Sequence, residues 1–386
     1  MGIIYLDNAA TTPLSPAAAR AVRRGEALVA NPSSSCREGR RAHAAIEGAR
    51  VRVARALGGS SGTVTFTSGA TEANNSVLRA FGCGGARVVL TSGEHPSVSS
   101  TVDDLARRGL VRPVRVPLDA DGVVDTGAVA REVAGGGVKL VCLLHASNEV
   151  GSMVPSARVR AIAGACRRAG AWLHLDCAQS AGKVPISLSR LGVDSATISA
   201  HKFGGPRGVG CLWHRRGASL PHPLVTGGKQ EEGARAGTEN TGGILGFAAA
   251  LDQATEALRG PRGGSGERWR ALREALASGL ASAFPGSVVH GAGAARRLPN
   301  ILSFALRGPD GFVDSRALQT SLDRRGIVVN TGSACSRGKR SRVLAAMGVP
   351  REQEAATVRV SFGRQSTRGH VDRFLRALRD EYGVRM

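Results

Sequence analysis

Lys202 is the residue of this sequence whose surroundings most clearly allow chemistry. It follows a short apolar run and precedes a Gly-Gly-Pro corner, in the stretch ISAHKFGGPRG at positions 198–208. A lysine amine in a partly desolvated pocket has a lowered pKa and becomes a nucleophile, whereas an arginine keeps its charge. Lysine at this position therefore favours imine chemistry. The alternative is that Lys202 pairs with a carboxylate.

Two other predicted strands also end in residues that could bind a ligand. Asp176 closes the apolar run AWLHLD, and a buried carboxylate needs a partner such as a protonated ring nitrogen. The alternative is that Asp176 caps a short helix. After TVTFTS, the small residues Gly69, Ala70 and Thr71 open a helix whose free N–H groups can bind a phosphate, unless they form only a helix cap.

These three features together match the requirements of one cofactor. Pyridoxal phosphate needs a lysine for a Schiff base, an acid beside its pyridine nitrogen and an anchor for its phosphate. Each feature has a structural alternative, but the three occur at the ends of predicted strands. The sequence therefore predicts a pyridoxal-phosphate site.

Short apolar runs alternate with amphipathic segments along the first two thirds of the chain. The segments SVSSTVDDLARRG and SARVRAIAGACRRAG are typical of helices, and the second is expected to end at Gly170. Alternating strands and helices predict an α/β fold with a mostly parallel sheet, helices on both faces and ligands at the carboxyl ends of the strands. The predicted buried strands span residues 86–92, 138–147, 171–176 and 194–200.

A Gly-rich polar segment, GPRGGSGER at positions 260–268, interrupts this alternation. The apolar stretch NILSFAL, the helical pattern SRALQTSLDRRG, a loop with Cys335 and a final strand and helix follow it. We therefore expect a large domain formed by residues 15–258. Residues 1–14 and 259–386 are expected to form a smaller α+β domain that carries Cys335.

The composition narrows the class of protein. The 386 residues carry a formal net charge of +22, but the arginines are scattered in short pairs and aromatic residues make up only 4%, which argues against direct nucleic-acid binding. The seven cysteines contain no C-x-x-C pair, so neither a zinc ribbon nor a disulfide framework is indicated. No apolar run approaches about 18 residues. We expect a reduced, cytoplasmic protein without a membrane segment or a metal site.

The sequence resembles the cysteine desulfurases of the class V aminotransferase-like group, which are pyridoxal-phosphate enzymes of fold type I. This resemblance implies a seven-stranded, mostly parallel sheet with helices on both faces and a smaller α+β domain. It covers nearly the whole chain and rests on ten segments in the family's order: YLDNAATTP, NPSS, FTSGATEANN, EHPSV, NEVGSMVP, HLDCAQSAGKVPI, SAHKFGGPRGVG, GTENTGGI, TGSAC and VRVSFGR.

The resemblance implies roles for the residues around the cofactor ring. Lys202 would form the Schiff base, and Asp176 would keep the pyridine nitrogen protonated so that the ring accepts electrons. Gln179 would hydrogen-bond the phenolic oxygen of the ring. His95 would stack on the ring and assist proton transfers.

The resemblance also implies phosphate and substrate contacts. Asn148 and Arg359 would bind the carboxylate of the substrate, for which a planar guanidinium is well suited. The phosphate would be held by Ala70, Thr71, Ser199 and His201 of one subunit. Thr238 of a second subunit would complete this site, which implies a homodimer with shared active sites.

Cys335 distinguishes among the reactions that such a site could perform. It lies in the loop TGSACSRGKRSR, where Arg337, Lys339 and Arg340 should favour its thiolate. The resemblance implies that this thiolate takes the sulfur of L-cysteine as a persulfide, that L-alanine is released, and that an acceptor protein receives the sulfur. The other six cysteines mostly lie in apolar or helical contexts and are predicted to fill the core.

Two departures from the family pattern bear on function. Cys36 stands where the family has a histidine after NPSS, so we expect polar contacts near the phosphate to be lost without loss of the core chemistry. The segment after Cys335 is about two residues shorter than in the family's longer form and strongly basic. This favours an acidic or specialised sulfur acceptor in a dedicated pathway over a standard iron–sulfur scaffold.

Other functions remain open at this point. A cysteine C–S lyase, a selenocysteine lyase or another class V enzyme would have the same fold and would not need Cys335. A non-catalytic basic binding protein is supported only by the net charge. It gives no reason for Lys202, Asp176, His95 and Cys335 to occur together.

Overall fold

The computed structural model of the protein describes residues 2–218, 220–331 and 340–383. Its strands form one seven-stranded sheet, one four-stranded sheet and two short pairs. The strands of the described residues are β1 (Ile4–Tyr5), β2 (Gly62–Thr67), β3 (Ala86–Thr91), β4 (Val111–Val116), β5 (Val138–Leu144), β6 (Trp172–Asp176), β7 (Ser195–Ser199), β8 (Gly210–Arg215), β9 (Val288–Val289), β10 (Ile301–Ala305), β11 (Arg307–Gly308), β12 (Gly311–Phe312), β13 (Ile327–Val328), β14 (Asn330–Thr331) and β15 (Thr357–Ser361).

Helices separate most of these strands. Short 3₁₀ turns occur at Ala200–Lys202, Gln230–Gly233 and Pro261–Gly263. The α-helices of the described residues are α1 (Pro16–Glu26), α2 (Arg37–Ala56), α3 (Ala70–Ala80), α4 (Pro96–Arg107), α5 (Thr126–Ala134), α6 (Ser156–Ala169), α7 (Leu188–Leu191), α8 (Thr241–Leu258), α9 (Gly264–Ala283), α10 (Ser315–Arg324), α11 (Arg342–Ala346), α12 (Arg351–Ala355) and α13 (Arg368–Tyr382).

The seven-stranded sheet has the order β2-β8-β7-β6-β5-β3-β4. The pairs from β7 to β4 are parallel, and β8 runs antiparallel to both of its neighbours. The predicted α/β class and mostly parallel sheet are therefore confirmed. Because β5, β6 and β7 are parallel neighbours, the residues that follow them meet at one edge of the sheet.

The predicted elements of this region agree with the structure within a few residues. The strand expected at 138–147 ends at Leu144. The strands expected at 86–92 and 171–176 differ from the structure by one residue at one end, and the strand expected at 194–200 by one residue at both ends. Helix α6 ends where expected, since Gly170 adopts a left-handed conformation with φ of 65°. The polar segment 260–268 separates α8 from α9, although α9 already begins at Gly264.

A second hydrophobic core lies in the C-terminal third of the chain. Phe304, Phe362 and Phe374 are fully buried there, on or beside the four-stranded antiparallel sheet β14-β15-β10-β9. The N-terminal segment joins the same core, because Ile4 is buried in it and β1 pairs in parallel with β13. These contacts support the proposal that residues 1–14 and 259–386 form one domain and residues 15–258 the other.

The ion pair between Arg50 and the buried Glu231 offers a test of what stabilises the fold. Both Nη atoms of Arg50 on α2 contact the carboxylate of Glu231, at 2.5 and 3.1 Å, and the side chain of Glu231 is only 3% exposed. We expect Arg50→Met to lower the free energy of unfolding by about 3 kcal/mol, because it leaves a buried carboxylate without its cation.

The matched control is Arg52→Met on the same helix. Arg52 pairs with Asp252, but the two side chains are 42% and 30% exposed, so its loss should cost under about 1 kcal/mol. Urea unfolding followed by circular dichroism would compare the two variants. Equal losses of stability would show that burial of Glu231 does not set the strength of its ion pair.

Candidate active site

A cavity of ≈ 520 Å³ opens at the carboxyl ends of β5, β6 and β7. It also receives residues from the N-terminal segment and from β15. Ten of the predicted site residues line it: Ala70, Thr71, His95, Asn148, Asp176, Gln179, Ser199, His201, Lys202 and Arg359.

Of the other two predicted residues, only Thr238 belongs to the part of the chain that the structure describes. Thr238 is exposed and does not line the cavity of its own chain. Cys335 lies outside the described residues. A second, larger cavity of ≈ 700 Å³ lies where the end of α8 approaches α9, and it is lined by none of the predicted site residues.

Lys202 ends the 3₁₀ turn that directly follows β7. Its Nζ donates hydrogen bonds to the main-chain oxygens of Ala9 and Ala10, at 2.9 and 3.0 Å. The N-terminal segment therefore holds the amine at the cavity wall. The only indication of this contact in the sequence is the motif YLDNAATTP.

Asp176 is the last residue of β6 and is only 3% exposed. One carboxylate oxygen accepts a hydrogen bond from the main chain of Ala178 at 2.9 Å, and the other accepts one from Nδ2 of Asn74 at 2.9 Å. The first contact is a cap, as the alternative from the sequence expected, but it caps a turn and not a short helix. The second fixes the carboxylate against α3, so Asp176 both caps a turn and faces the cavity.

His95 precedes α4 and caps it. Its Nδ1 accepts a hydrogen bond from the main-chain N–H of Ser97 at 3.1 Å and lies 2.8 Å from the Ser97 hydroxyl. Loss of hydration lowers the pKa of His95; the Asp176 carboxylate opposes this shift and the Lys202 ammonium adds to it. The ring is therefore neutral at pH 7.

The N-terminus of α3 forms one end of the cavity. The helix starts without a side-chain cap, so main-chain N–H groups of its first turn, around Ala70 and Thr71, are available to an anion. Gly69 has a φ of 155°, which favours glycine, and a Cβ added at Gly210 would lie 2.8 Å from the Cα of Gly69. This close approach of two backbones requires glycine at position 210.

His201 lies beside the same end of the cavity. Its Nδ1 is 3.1 Å from the hydroxyl of Thr11. Burial, followed by the charges of Lys202, Arg207 and Lys183, lowers the pKa of His201 to about 4. A neutral imidazole there can donate one hydrogen bond to an anion.

Two polar side chains of the cavity lining, those of Gln179 and Arg359, use only part of their hydrogen-bonding capacity. Gln179 donates from Nε2 to the main chain of Ala9 at 2.9 Å, but its buried Oε1 has no hydrogen-bond partner within the described residues. Arg359 donates from Nη1 to the main chain of Asn148 and from Nη2 to Asp7, both at 2.8 Å. Its Nε is likewise buried without a partner there. Such groups mark places where a bound ligand can complete the hydrogen bonding.

Asp7 is a site residue that sequence reasoning missed. Its Oδ1 accepts from Arg359, and its Oδ2 accepts from Asn330 at 3.0 Å. The aspartate, which does not itself line the cavity, therefore orients the guanidinium. The available signal was its place in the motif YLDNAATTP, which was used only as a landmark.

The family model "Aminotransferase class-V" matches residues 4–374 of this chain. The chain belongs to the aminotransferase class-V family. It is 38% identical over 382 residues to a cysteine desulfurase of Cereibacter sphaeroides, covering 97% of this chain and 94% of the relative. It is 34% identical to an IscS-like cysteine desulfurase of Mycobacterium tuberculosis, and the match covers 97% of this chain and 95% of the relative. A solved structure titled as a NifS-like protein superposes with a TM-score of 0.86 at 33% identity, covering 98% of both chains.

Aminotransferase class-V proteins depend on pyridoxal 5′-phosphate, and the cavity fits this group. It offers a lysine amine, a carboxylate anchored at the end of a buried strand, and a helix N-terminus without a side-chain cap. The unpartnered Oε1 of Gln179 shows that the polar lining is incomplete without a ligand. The predicted fold type I architecture and cofactor are thus confirmed.

The described cysteines take no part in the lining of this cavity. Cys142, Cys166, Cys177 and Cys211 are buried, and burial raises the pKa of each thiol, so these four stay protonated as core residues. Cys83 and Cys36 are exposed, unlike the core residues expected for most of the six.

Cys36 is the N-cap of α2, where its Sγ accepts a hydrogen bond from the main chain of Gly39 at 3.4 Å. It does not line the cavity of its own chain, and the expected loss of polar contacts near the phosphate stays a prediction.

Within the described ranges, no group of His, Cys, Asp and Glu is placed to hold a metal ion. No helix in that part of the chain is long and apolar enough to cross a membrane.

Proposed function

We propose that this protein is a cysteine desulfurase that takes the sulfur of L-cysteine, releases L-alanine and carries the sulfur as a persulfide on Cys335. The observation that carries the proposal is the cavity itself, where Lys202, Asp176 and the start of α3 lie together with Arg359. The names of the relatives at 34 and 38% identity support the same reaction.

The residues around the cavity would hold the cofactor as follows. Lys202 would bond it, Asp176 would pair with the ring nitrogen, Gln179 would hydrogen-bond the phenolic oxygen and His95 would stack on the ring. When bound, pyridoxal phosphate supplies an electron sink for charge that develops at the α-carbon of the substrate. The phosphate contacts fall to Ala70, Thr71, Ser199 and His201.

Arg359 and Asn148 bind the carboxylate of L-cysteine. The side chain of Arg359 is 8% exposed and is already oriented by Asp7, so little rotamer freedom is lost when the carboxylate binds. A fixed carboxylate places the rest of the amino acid towards Lys202. His95, which is neutral, donates or receives protons at the edge of the cavity that it lines.

Cys335 provides the sulfur acceptor within the protein. Its thiolate attacks the sulfur of L-cysteine, so that a new S–S bond forms while the C–S bond of the substrate breaks. The bonding electrons pass to the β-carbon, which is protonated, and L-alanine leaves. Cys335 is oxidised to the persulfide level as the substrate carbon is reduced, and no further oxidant is required.

The partner proposals rest on surface residues. Thr238 is exposed on a segment that Arg235 holds to Glu72 on α3, at 3.0 Å, next to the phosphate end of the cavity. A homodimer in which Thr238 of the partner subunit contacts the phosphate is therefore our proposal.

The basic residues after Cys335 favour an acidic acceptor protein of a dedicated pathway in the cytoplasm. A pull-down that returned only an iron–sulfur scaffold protein would contradict that acceptor.

The experiment that tests the function compares the wild-type protein with Cys335→Ser. With L-cysteine and a reductant, the wild type should release equal amounts of alanine and sulfide, and the variant should release neither while keeping its yellow cofactor. Cys83→Ser, which changes an exposed cysteine that does not line the cavity, is the matched control. Pyruvate as the product, or a fully active Cys335→Ser variant, would indicate a lyase or another class V reaction that does not need Cys335.

Asp7→Ala tests how the substrate carboxylate is bound. We expect the KM for L-cysteine to rise about tenfold while kcat changes less, because Arg359 loses its orienting partner but keeps its charge. Steady-state alanine release would measure both constants. Asp310→Ala, which removes an exposed acid elsewhere in the smaller domain, should leave both constants unchanged. A fall in kcat alone would place Asp7 in the chemical step.

A further inference from the structure

A continuous chain of buried polar side chains runs behind the cavity, and Asn74 lies at its centre. Asn74 on α3 is fully buried. Its Nδ2 is 2.9 Å from Asp176 and 2.8 Å from the hydroxyl of Ser97, and its Oδ1 is 2.9 Å from Nε2 of His174. The Asn74 amide therefore contacts the Asp176 carboxylate directly and His95 through Ser97.

The donors and acceptors of one branch can be assigned from chemistry. A carboxylate only accepts, so the Asp176 contact fixes which end of the Asn74 amide is Nδ2. The Oδ1 of Asn74 must then accept, and His174 carries a proton on Nε2. The hydroxyl of Thr197 lies 3.2 Å from the same nitrogen as a further acceptor.

The far end of this branch agrees with that assignment. The indole N–H of Trp172 can only donate, and it donates to the hydroxyl of Ser195 at 2.7 Å. The Ser195 proton is then free to bond Nδ1 of His174, which is 2.7 Å away. His174 is thus neutral with Nδ1 unprotonated. Burial lowers the pKa of His174 to about 4, against the opposing charge of Asp176.

The second branch leads to His95. The Nδ2 of Asn74 donates to the oxygen of Ser97, so the hydroxyl proton of Ser97 can bond Nδ1 of His95, 2.8 Å away. The main-chain N–H of Ser97 donates to the same nitrogen. Because Nδ1 accepts both bonds, the neutral His95 ring carries its proton on Nε2.

We propose that Asn74 is a positioning residue that fixes the Asp176 carboxylate and the Nε2–H tautomer of His95 as one unit, with His174 as its support. This inference rests on the proposed function and adds to it a residue that touches neither substrate nor cofactor. It follows that resting His95 offers a proton at Nε2, because its other nitrogen is occupied by Ser97.

The first test needs no variant. Long-range ¹H–¹⁵N correlation spectra of the wild-type holoenzyme at pH 7.5 should show both His95 and His174 protonated at Nε2 and unprotonated at Nδ1. A proton on Nδ1 of either ring would overturn the proposal. This result does not depend on catalysis. A wild-type protein that made no alanine but showed these tautomers would refute the proposed function and leave the positioning role intact.

The second test is Asn74→Leu, which keeps the size of the side chain and removes its hydrogen bonds. Its kcat should fall about 10- to 100-fold, the range found when outer partners of metal-site ligands are lost, with KM for L-cysteine nearly unchanged. The pH midpoint of the absorption change of the bound cofactor should shift by about one unit, since Asp176 is no longer held.

The matched control is Asn75→Leu, on the same helix. Asn75 contacts the main chains of Thr71 and Ser97 and the hydroxyl of Thr101, but within the described residues it contacts neither Asp176 nor the side chain of Ser97. It should keep wild-type kcat and cofactor absorption. If Asn74→Leu loses activity while its cofactor absorption and His95 spectrum stay those of the wild type, the role of Asn74 is only structural and the proposal fails. If Asn74→Leu does not fold, the tautomers of His95 and His174 in the wild-type spectra still test the proposal.

Discussion

Lys202→Arg is expected to abolish turnover of L-cysteine, with kcat reduced by at least about 1,000-fold. A guanidinium keeps the positive charge that Ala9 and Ala10 hold at the cavity wall, but it cannot deprotonate and bond the cofactor. The Lys202→Arg substitution therefore keeps the positive charge and removes the nucleophilic amine. Alanine release would be measured at saturating L-cysteine.

A second readout locates the covalent bond. After reduction with borohydride, mass spectrometry of the wild type should find the cofactor on the peptide that contains Lys202, and the variant should carry none. Lys139→Arg, at an exposed position of β5, is the control and should behave as the wild type in both assays. Cofactor bound covalently to a different lysine would contradict the assignment.

Asp176→Asn is expected to lower kcat about 100- to 1,000-fold, because a neutral amide no longer stabilises positive charge on the facing ring nitrogen. The change keeps the size of the side chain. Asn74 and Ala178 remain as neighbours at the end of β6. The loss should therefore come from charge, and the absorption spectrum of the bound cofactor should change along with kcat.

The control for this variant is Asp194→Asn. Asp194 lies at the opposite end of the sheet, where it accepts hydrogen bonds from the main chain of Leu173 and from Arg215. Its replacement should lower thermal stability without changing kcat. Equal kcat losses in the two variants would indicate that Asp176 acts only through the fold.

The sequence predicted the strand ends well because strand identity is set by local apolar runs. Residues such as Asp176 and Lys202 follow those runs directly, and parallel pairing brings them together whatever the details of packing. The helix glycine Gly170 was predictable for the same reason, since its left-handed conformation is a local requirement.

Contacts between distant segments were not predictable in this way. The link between Asp7 and Arg359 joins positions 352 apart, and nothing local in either segment indicates the other. The roles of Asn74 and His174 were not predicted either, because the hydrogen-bond partners of a polar residue on a helix or strand are known only when the packing is known. Cys335 was identified from the family resemblance and its basic neighbours, and its placement remains a prediction.

The N-terminal segment also imposes an order on biosynthesis. Asn8 bonds the main chain of Ser361, 353 positions later in the chain, and Ala9 and Ala10 hold Lys202. At about 5–20 residues per second, a ribosome needs roughly 18 to 70 s to make the intervening chain. The segment around Asn8 must therefore wait, without its partner at Ser361, until β15 has been synthesised. Long-range closure of this kind slows folding, and a nascent chain has no complete active site until Arg359 has been added.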